Sequence, residues 1–141
     1  MELLDAYSVV VTDRLRDCRD FYRRWFGFEV GFEASWFVLL QGGGARPTTL
    51  AFMHSEHPSS PPSPAAYRGD GAFVTFQVAD AEAEHRRLAE AGLDCDLPLT
   101  DEPWGQRRFG VVDPAGMWVD VVEQIEPAAG WWDPYLEAGA E

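Results

Sequence analysis

The side chains that could do chemistry in this sequence suit binding better than bond-making. Six Trp stand among 141 residues, and flat aromatic faces hold planar or cationic ligands by stacking and cation–π attraction. Strand parity gathers Trp36, Met53, Phe73, Thr75, Gln77, Trp104, Arg107, Phe109, Trp118 and Asp120 as the expected ligand wall, with Trp36 and Trp118 as its main aromatic faces. Asp120 is the one member with catalytic potential. A carboxylate buried beside Trp118 can serve as a charge partner for a cation or as a general base. Several of the aromatics are instead expected in the core, Trp25 first among them, because a register error of one residue moves a strand's side chains to the opposite face.

Other chemistries lack their parts. The sequence contains no Lys, which excludes Schiff-base catalysis by a lysine amine and a P-loop lysine. Cys18 and Cys95 are isolated thiols without metal-type spacing, and Cys18 falls on a helical stripe as a small core residue. His54-Ser55-Glu56-His57 lies where a strand runs into a loop, so its histidines are expected to be partly exposed loop residues. No nucleophile with its base can be assembled from local sequence. A formal charge of −13 argues against nucleic acid, which needs a basic stripe. No run of about 18 apolar residues marks a membrane span, and Met1 to Asp5 is acidic where a secretory signal would be basic. The expectation is a cytoplasmic, single-domain protein whose partner is a small molecule.

Positioning these residues requires an order of elements that occurs twice. Tyr7 to Val11 reads as a strand, and Thr12-Asp13 offers a cap to a helix carrying Leu15, Cys18, Phe21, Tyr22 and Trp25, closed by Gly27. Phe28 to Phe32, Trp36 to Gln41 and Thr48 to His54 follow as strands. The order recurs from Ala72, with Val74, Phe76 and Val78 expected to face a helix and Phe73, Thr75 and Gln77 to face a ligand. Asp80 begins the second helix, His85 is expected at its packed interface, and Gly92 ends it. Asp94 to Leu99, Gln106 to Val112 and Met117 to Glu123 are the last strands, with Asp113-Pro114-Ala115-Gly116 as a tight turn. Val11-Thr12-Asp13 is matched to Val78-Ala79-Asp80. The organisation is thus module one at 4–54, a Pro/Ser/Gly-rich linker or lid at 55–71, module two at 72–125, and an aromatic tail at 126–141 that should pack on this subunit or a partner.

The two βαβββ units, the Val-Thr-Asp and Asp-Phe-Tyr helix motif, Trp104-Gly105-Gln106-Arg107 and Asp113-Pro114-Ala115-Gly116 together resemble the vicinal oxygen chelate superfamily of glyoxalases, bleomycin-resistance proteins and dioxygenases. The resemblance implies an α+β fold: two tandem βαβββ modules forming curved mixed sheets around a cleft, with helices on the outer face, in a homodimer. Metal-dependent relatives place a ligand on the first and last strand of each half. Carried over one by one, those positions fall on Ala6, Phe73, Thr49 and Asp120, of which only Asp120 is a good donor, so no metal and no other cofactor is expected. Thr49 joins the ligand wall instead. The leading expectation is a metal-independent protein that sequesters an aromatic or cationic natural product such as an antibiotic. The alternative is a lyase, isomerase, cyclase or dioxygenase of the same fold, with Asp120 as base or with misaligned metal ligands.

Overall fold

The structure is a computed structural model, described here for residues 1–58 and 65–137. Most of the proline-rich stretch expected as a lid, residues 59–64, lies outside the described residues. The strands and helices are β1 (Ser8–Val11), α1 (Leu15–Phe26), β2 (Glu29–Glu33), β3 (Phe37–Gly42), β4 (Thr48–Met53), β5 (Val74–Gln77), α2 (Ala81–Glu90), β6 (Leu97–Glu102), β7 (Gln106–Val112) and β8 (Trp118–Gln124). They form two four-stranded mixed sheets of the same topology, ordered β1-β4-β3-β2 and β5-β8-β7-β6, as the βαβββ repeat requires. The chain divides into two compact units, Met1–Ala72 with Val112–Met117, and Phe73–Val111 with the segment from Trp118 onward.

In the first unit, β1 pairs in parallel with β4, and β4 pairs antiparallel with β3. Leu15, Cys18 and Tyr22 form the buried stripe of α1, and the Tyr22 ring meets Phe52 and Phe28 at 5.4 and 5.7 Å. Val10, Val38, Leu40, Leu50 and Phe52 therefore form the helix-side core, all of them buried. Gly27 ends α1 in the left-handed region at φ 68°, where a residue without Cβ is favoured. The expected cap is corrected: the N-cap position is Arg14 and carries no side-chain cap. Thr12 Oγ1 accepts from the Arg14 N–H at 3.1 Å, while Asp13 turns to Ser55 and His54.

Asp113 is the polar anchor of this unit. It is buried, and its Oδ2 accepts the Tyr22 hydroxyl at 2.6 Å. Its Oδ1 accepts the backbone N–H groups of Ala115 and Met117 at 2.8 and 2.9 Å. The Asp-Pro-Ala-Gly motif thus closes its own turn with one carboxylate oxygen and ties that turn to α1 with the other. Burial and the neighbouring Asp113 carboxylate push the Cys18 thiol up to about 12, so little thiolate forms near neutrality. A thiol reagent at pH 8 should modify no more than one of the two cysteines in native protein and both after unfolding. Rapid native labelling of Cys18 would contradict this burial.

In the second unit, Asp80 caps α2 by accepting the Ala83 N–H at 2.9 Å, as the sequence implies. His85 meets Phe109 edge-on at 5.2 Å. Residues Val74 and Phe76 of β5 lie beside Val119 and Val121 of β8. That apolar layer, with Phe109 and Val111, makes the core under α2. Strand β6 starts three residues later than expected. Pro98 has no N–H to give the ladder, pairing is irregular between Leu97 and Thr100, and it is regular from Thr100 onward, where Thr100, Asp101 and Glu102 face Arg108, Arg107 and Gln106.

The hydrogen bonds that follow the parallel strand pairs correct the match between the halves. Val78 N–H donates to Val122 O at 2.8 Å, as Thr12 N–H donates to Met53 O at 2.9 Å. Val78 therefore corresponds to Thr12 and not to Val11. The shift is one residue, and one residue reverses the facing of a strand.

Candidate functional site

The face of the second sheet away from α2 carries the densest group of expected site residues. Thr75 lies beside Asp120 in the β5–β8 register and Gln77 beside Val122, which puts Phe73, Thr75, Gln77, Trp118 and Asp120 on one face by alternation. Phe73, Thr75 and Gln77 are exposed, Phe73 to 64%. Gln77 Oε1 accepts from Gln124 Nε2 at 3.2 Å.

Two of the expected residues face the other way. Phe109 is fully buried against His85, on the α2 side. Arg107 pairs with Asp101 at 2.7 Å and approaches Glu123 at 3.6 Å, whose other oxygen accepts the Ala81 N–H at the start of α2. The residue on the Asp120 face is Arg108. Its Nη1 donates to Asp120 Oδ1 and its Nε to Glu102 Oε1, each at 3.2 Å. The hydrogen bond from Asp113 N–H to Met117 O fixes the register of the hairpin, setting even-numbered β7 residues against even-numbered β8 residues.

The Trp118 indole lies over Gly110, where the absence of a side chain leaves it room. A Cβ there would stand 2.0 Å from the Trp118 ring, inside any van der Waals contact. The indole Nε1–H donates to Asp120 Oδ1 at 3.3 Å. Asp120 Oδ1 thus receives both the guanidinium and the indole, and the side chain is 8% exposed. The Glu102 side chain is 15% exposed, and Arg108 is its bonding partner. Trp104 completes the group, with its ring centre 5.3 Å from the Arg108 guanidinium carbon and its Nε1–H donating to Gln106. The aromatic tail packs on the same turn: Trp132 Nε1–H donates to Trp104 O at 2.8 Å, and the Trp131 ring lies tilted against Trp104 with centroids 5.9 Å apart. Glu102, Arg108 and Gly110 were absent from the expected set.

The remaining expected residues belong to the first unit. Trp36 is half-buried in the bend before β3 and accepts the His54 N–H on its carbonyl at 2.8 Å. Thr49 donates to Asp5 at 2.9 Å. Met53 is buried at the end of β4, paired with Val11 and Phe37. The histidine motif is a loop: His54 Nδ1 accepts the Glu56 N–H and His57 is half-buried.

With that one-residue shift, the positions at which metal-dependent relatives place their ligands fall on other residues. Asp120 stands two residues before Val122, so its counterpart is Ala51, two before Met53, and the counterpart of Phe73 is Tyr7. Ala51 and Phe73 have no donor, Tyr7 offers only a phenol, and Asp120 Oδ1 already accepts from Arg108 and Trp118. Among the described residues, no three His, Cys, Asp or Glu are grouped to hold a metal ion. These residues do not fit the metal site of the family's metal-dependent members.

Comparison with known proteins gives a consistent picture of the fold. The family model described as Glyoxalase/Bleomycin resistance protein/Dioxygenase superfamily matches residues 4–121. None of the curated proteins matches the chain. Among solved structures, a glyoxalase/bleomycin resistance protein/dioxygenase from Nocardioides is similar with a TM-score of 0.73 and 18% identity, over 100% of this chain and 91% of that one. Lactoylglutathione lyase from Agrobacterium tumefaciens is similar at 0.64 and 21%, over 83% and 90%. TioX from Micromonospora sp. ML1 is similar at 0.62 and 21%, over 84% and 97%. Among the described residues, no helix is long and apolar enough to cross a membrane.

Proposed function

Because the chain belongs to the Glyoxalase/Bleomycin resistance protein/Dioxygenase superfamily, we propose that it is a metal-independent binding protein that sequesters an aromatic or cationic small molecule, of the kind found among antibiotics. One fold hosts many chemistries, so the reading rests on the site. The observation that carries it is the Trp118 indole laid across Gly110 beside Glu102, Arg108 and Asp120. That face offers a flat aromatic floor, an exposed Phe73, the polar tips of Thr75 and Gln77, and two carboxylates against one guanidinium. Sequestration needs shape and affinity and no reacting group. Asp120 as a general base is the weaker reading, since its Oδ1 already accepts two hydrogen bonds within the sheet. The proposal extends to a cytoplasmic homodimer.

Native mass spectrometry of the purified protein reports mass, stoichiometry, metal and retained small molecule together. One stoichiometric divalent metal per chain would overturn the reading. Titration with cationic aromatic antibiotics should quench tryptophan fluorescence saturably, whereas a flat response across a broad panel would remove the support for sequestration.

A further inference from the structure

We infer that Glu102 is the residue that reads positive charge on a bound ligand, and that Asp120 is a positioning residue holding Trp118 and Arg108 in place. This rests on the binding reading above and assigns its charge recognition. Around Arg108, Nε is bonded to Glu102 and Nη1 to Asp120. Two carboxylates share one guanidinium, so the group carries one negative charge in excess. The two acids are not equivalent. Asp120 accepts both the guanidinium and the indole, and is the less exposed. Glu102 accepts a single hydrogen bond on Oε1 and is the more exposed of the two. A cationic nitrogen on a planar ring that stacks on Trp118 meets the excess charge most cheaply at Glu102, because that carboxylate has least to give up. Losing Asp120 has a different consequence. It releases the indole and the guanidinium together, and so disturbs the floor for any aromatic ligand.

The test uses the full chain and two dyes with the same ring system, 9-aminoacridine, a cation at pH 7.5, and neutral acridine. Wild type should bind the cation more tightly. Glu102→Gln should lower that preference by about tenfold, the scale of one charge-assisted hydrogen bond, while leaving acridine affinity in place. Arg108→Gln should raise the preference, since it leaves both carboxylates without their cation. Asp120→Ala, which removes the oxygen that both the indole and the guanidinium donate to, should weaken both dyes, neutral acridine included. A thermal melt of each variant checks folding, and because the Glu102 and Arg108 variants move the preference in opposite directions, a shared folding defect cannot imitate the result. Saturable binding with an unchanged preference in Glu102→Gln, or both variants moving it the same way, would overturn the assignment while the binding reading stands. Saturable binding of neither dye by wild type would overturn the assignment and count against the binding reading as well.

Discussion

Replacing Gly110 with alanine is expected to drive the Trp118 indole off the sheet, with a loss of about 2–4 kcal/mol in stability and the loss of dye quenching. A Cβ at this position would meet three indole atoms at 2.0, 2.5 and 2.6 Å. The backbone at Gly110 is not among the positive-φ glycines, so alanine suits the strand and the whole effect comes from the ring. Overpacking typically costs about 1–3 kcal/mol, and the displaced ring also gives up its hydrogen bond to Asp120, worth about 1 kcal/mol or more. The double variant Gly110→Ala with Trp118→Ala isolates this contact. Once the ring is gone, the added methyl group has nothing to meet, so the double variant should be no less stable than Trp118→Ala alone. Chemical denaturation of the four proteins gives the coupling energy, and additive effects would mean that the indole does not rest on Gly110.

Asp113→Ala is expected to cost about 3–5 kcal/mol, measured by denaturation, because one truncation strands two buried donors and a half-buried one. The buried Tyr22 hydroxyl and Met117 N–H and the half-buried Ala115 N–H all lose their acceptor, and each unpaired buried group costs about 1–3 kcal/mol. Asn keeps an oxygen for the two backbone donors and should cost less. The pH dependence of that milder variant has a definite sign. Burial is the largest influence on the Asp113 carboxyl and holds it above the ordinary value of 3.8, against the Tyr22 hydroxyl and the backbone N–H groups, which act to lower it. The folded state therefore binds this proton more tightly than the unfolded state. The stability contributed by the protonated form is fully present below the unfolded value and declines as pH rises through the folded one. The deficit of Asp113→Asn against wild type should accordingly be deeper near pH 4 than at pH 7. A deficit that grows with pH would show that hydrogen bonding to the carboxylate outweighs its burial.

The repeat, and through it the fold, is legible in the residues alone. The helical stripe of Leu15, Cys18 and Tyr22, the cap at Asp80, the glycine at Gly27 and the alternation from Phe73 to Val78 are local signals, each set by residues within a turn or two along the chain. Local signals survive without knowledge of what packs where. The expectation against lysine Schiff-base chemistry rested on a residue the sequence does not contain, and that too needs no geometry. Trp118, Asp120, Thr75, Gln77 and Phe73 came onto one face because each strand's own alternation put them there.

Tertiary structure decided what lies between strands. Whether Arg107 or Arg108 shares a face with Asp120 depends on the register of β7 against β8, and adjacent arginines look alike in a linear pattern. The same one-residue ambiguity hid the true correspondence of Thr12 with Val78, and with it the counterpart of Asp120 in the first unit. The role of Gly110 was invisible because a glycine within a strand reads as a weakness until a tryptophan is found lying across it. Asp120 stood out in the sequence as a lone carboxylate available to a ligand. In the fold its charge is shared with Arg108 and its oxygen with Trp118, because side-chain pairing across strands is fixed by register and no local signal carries it.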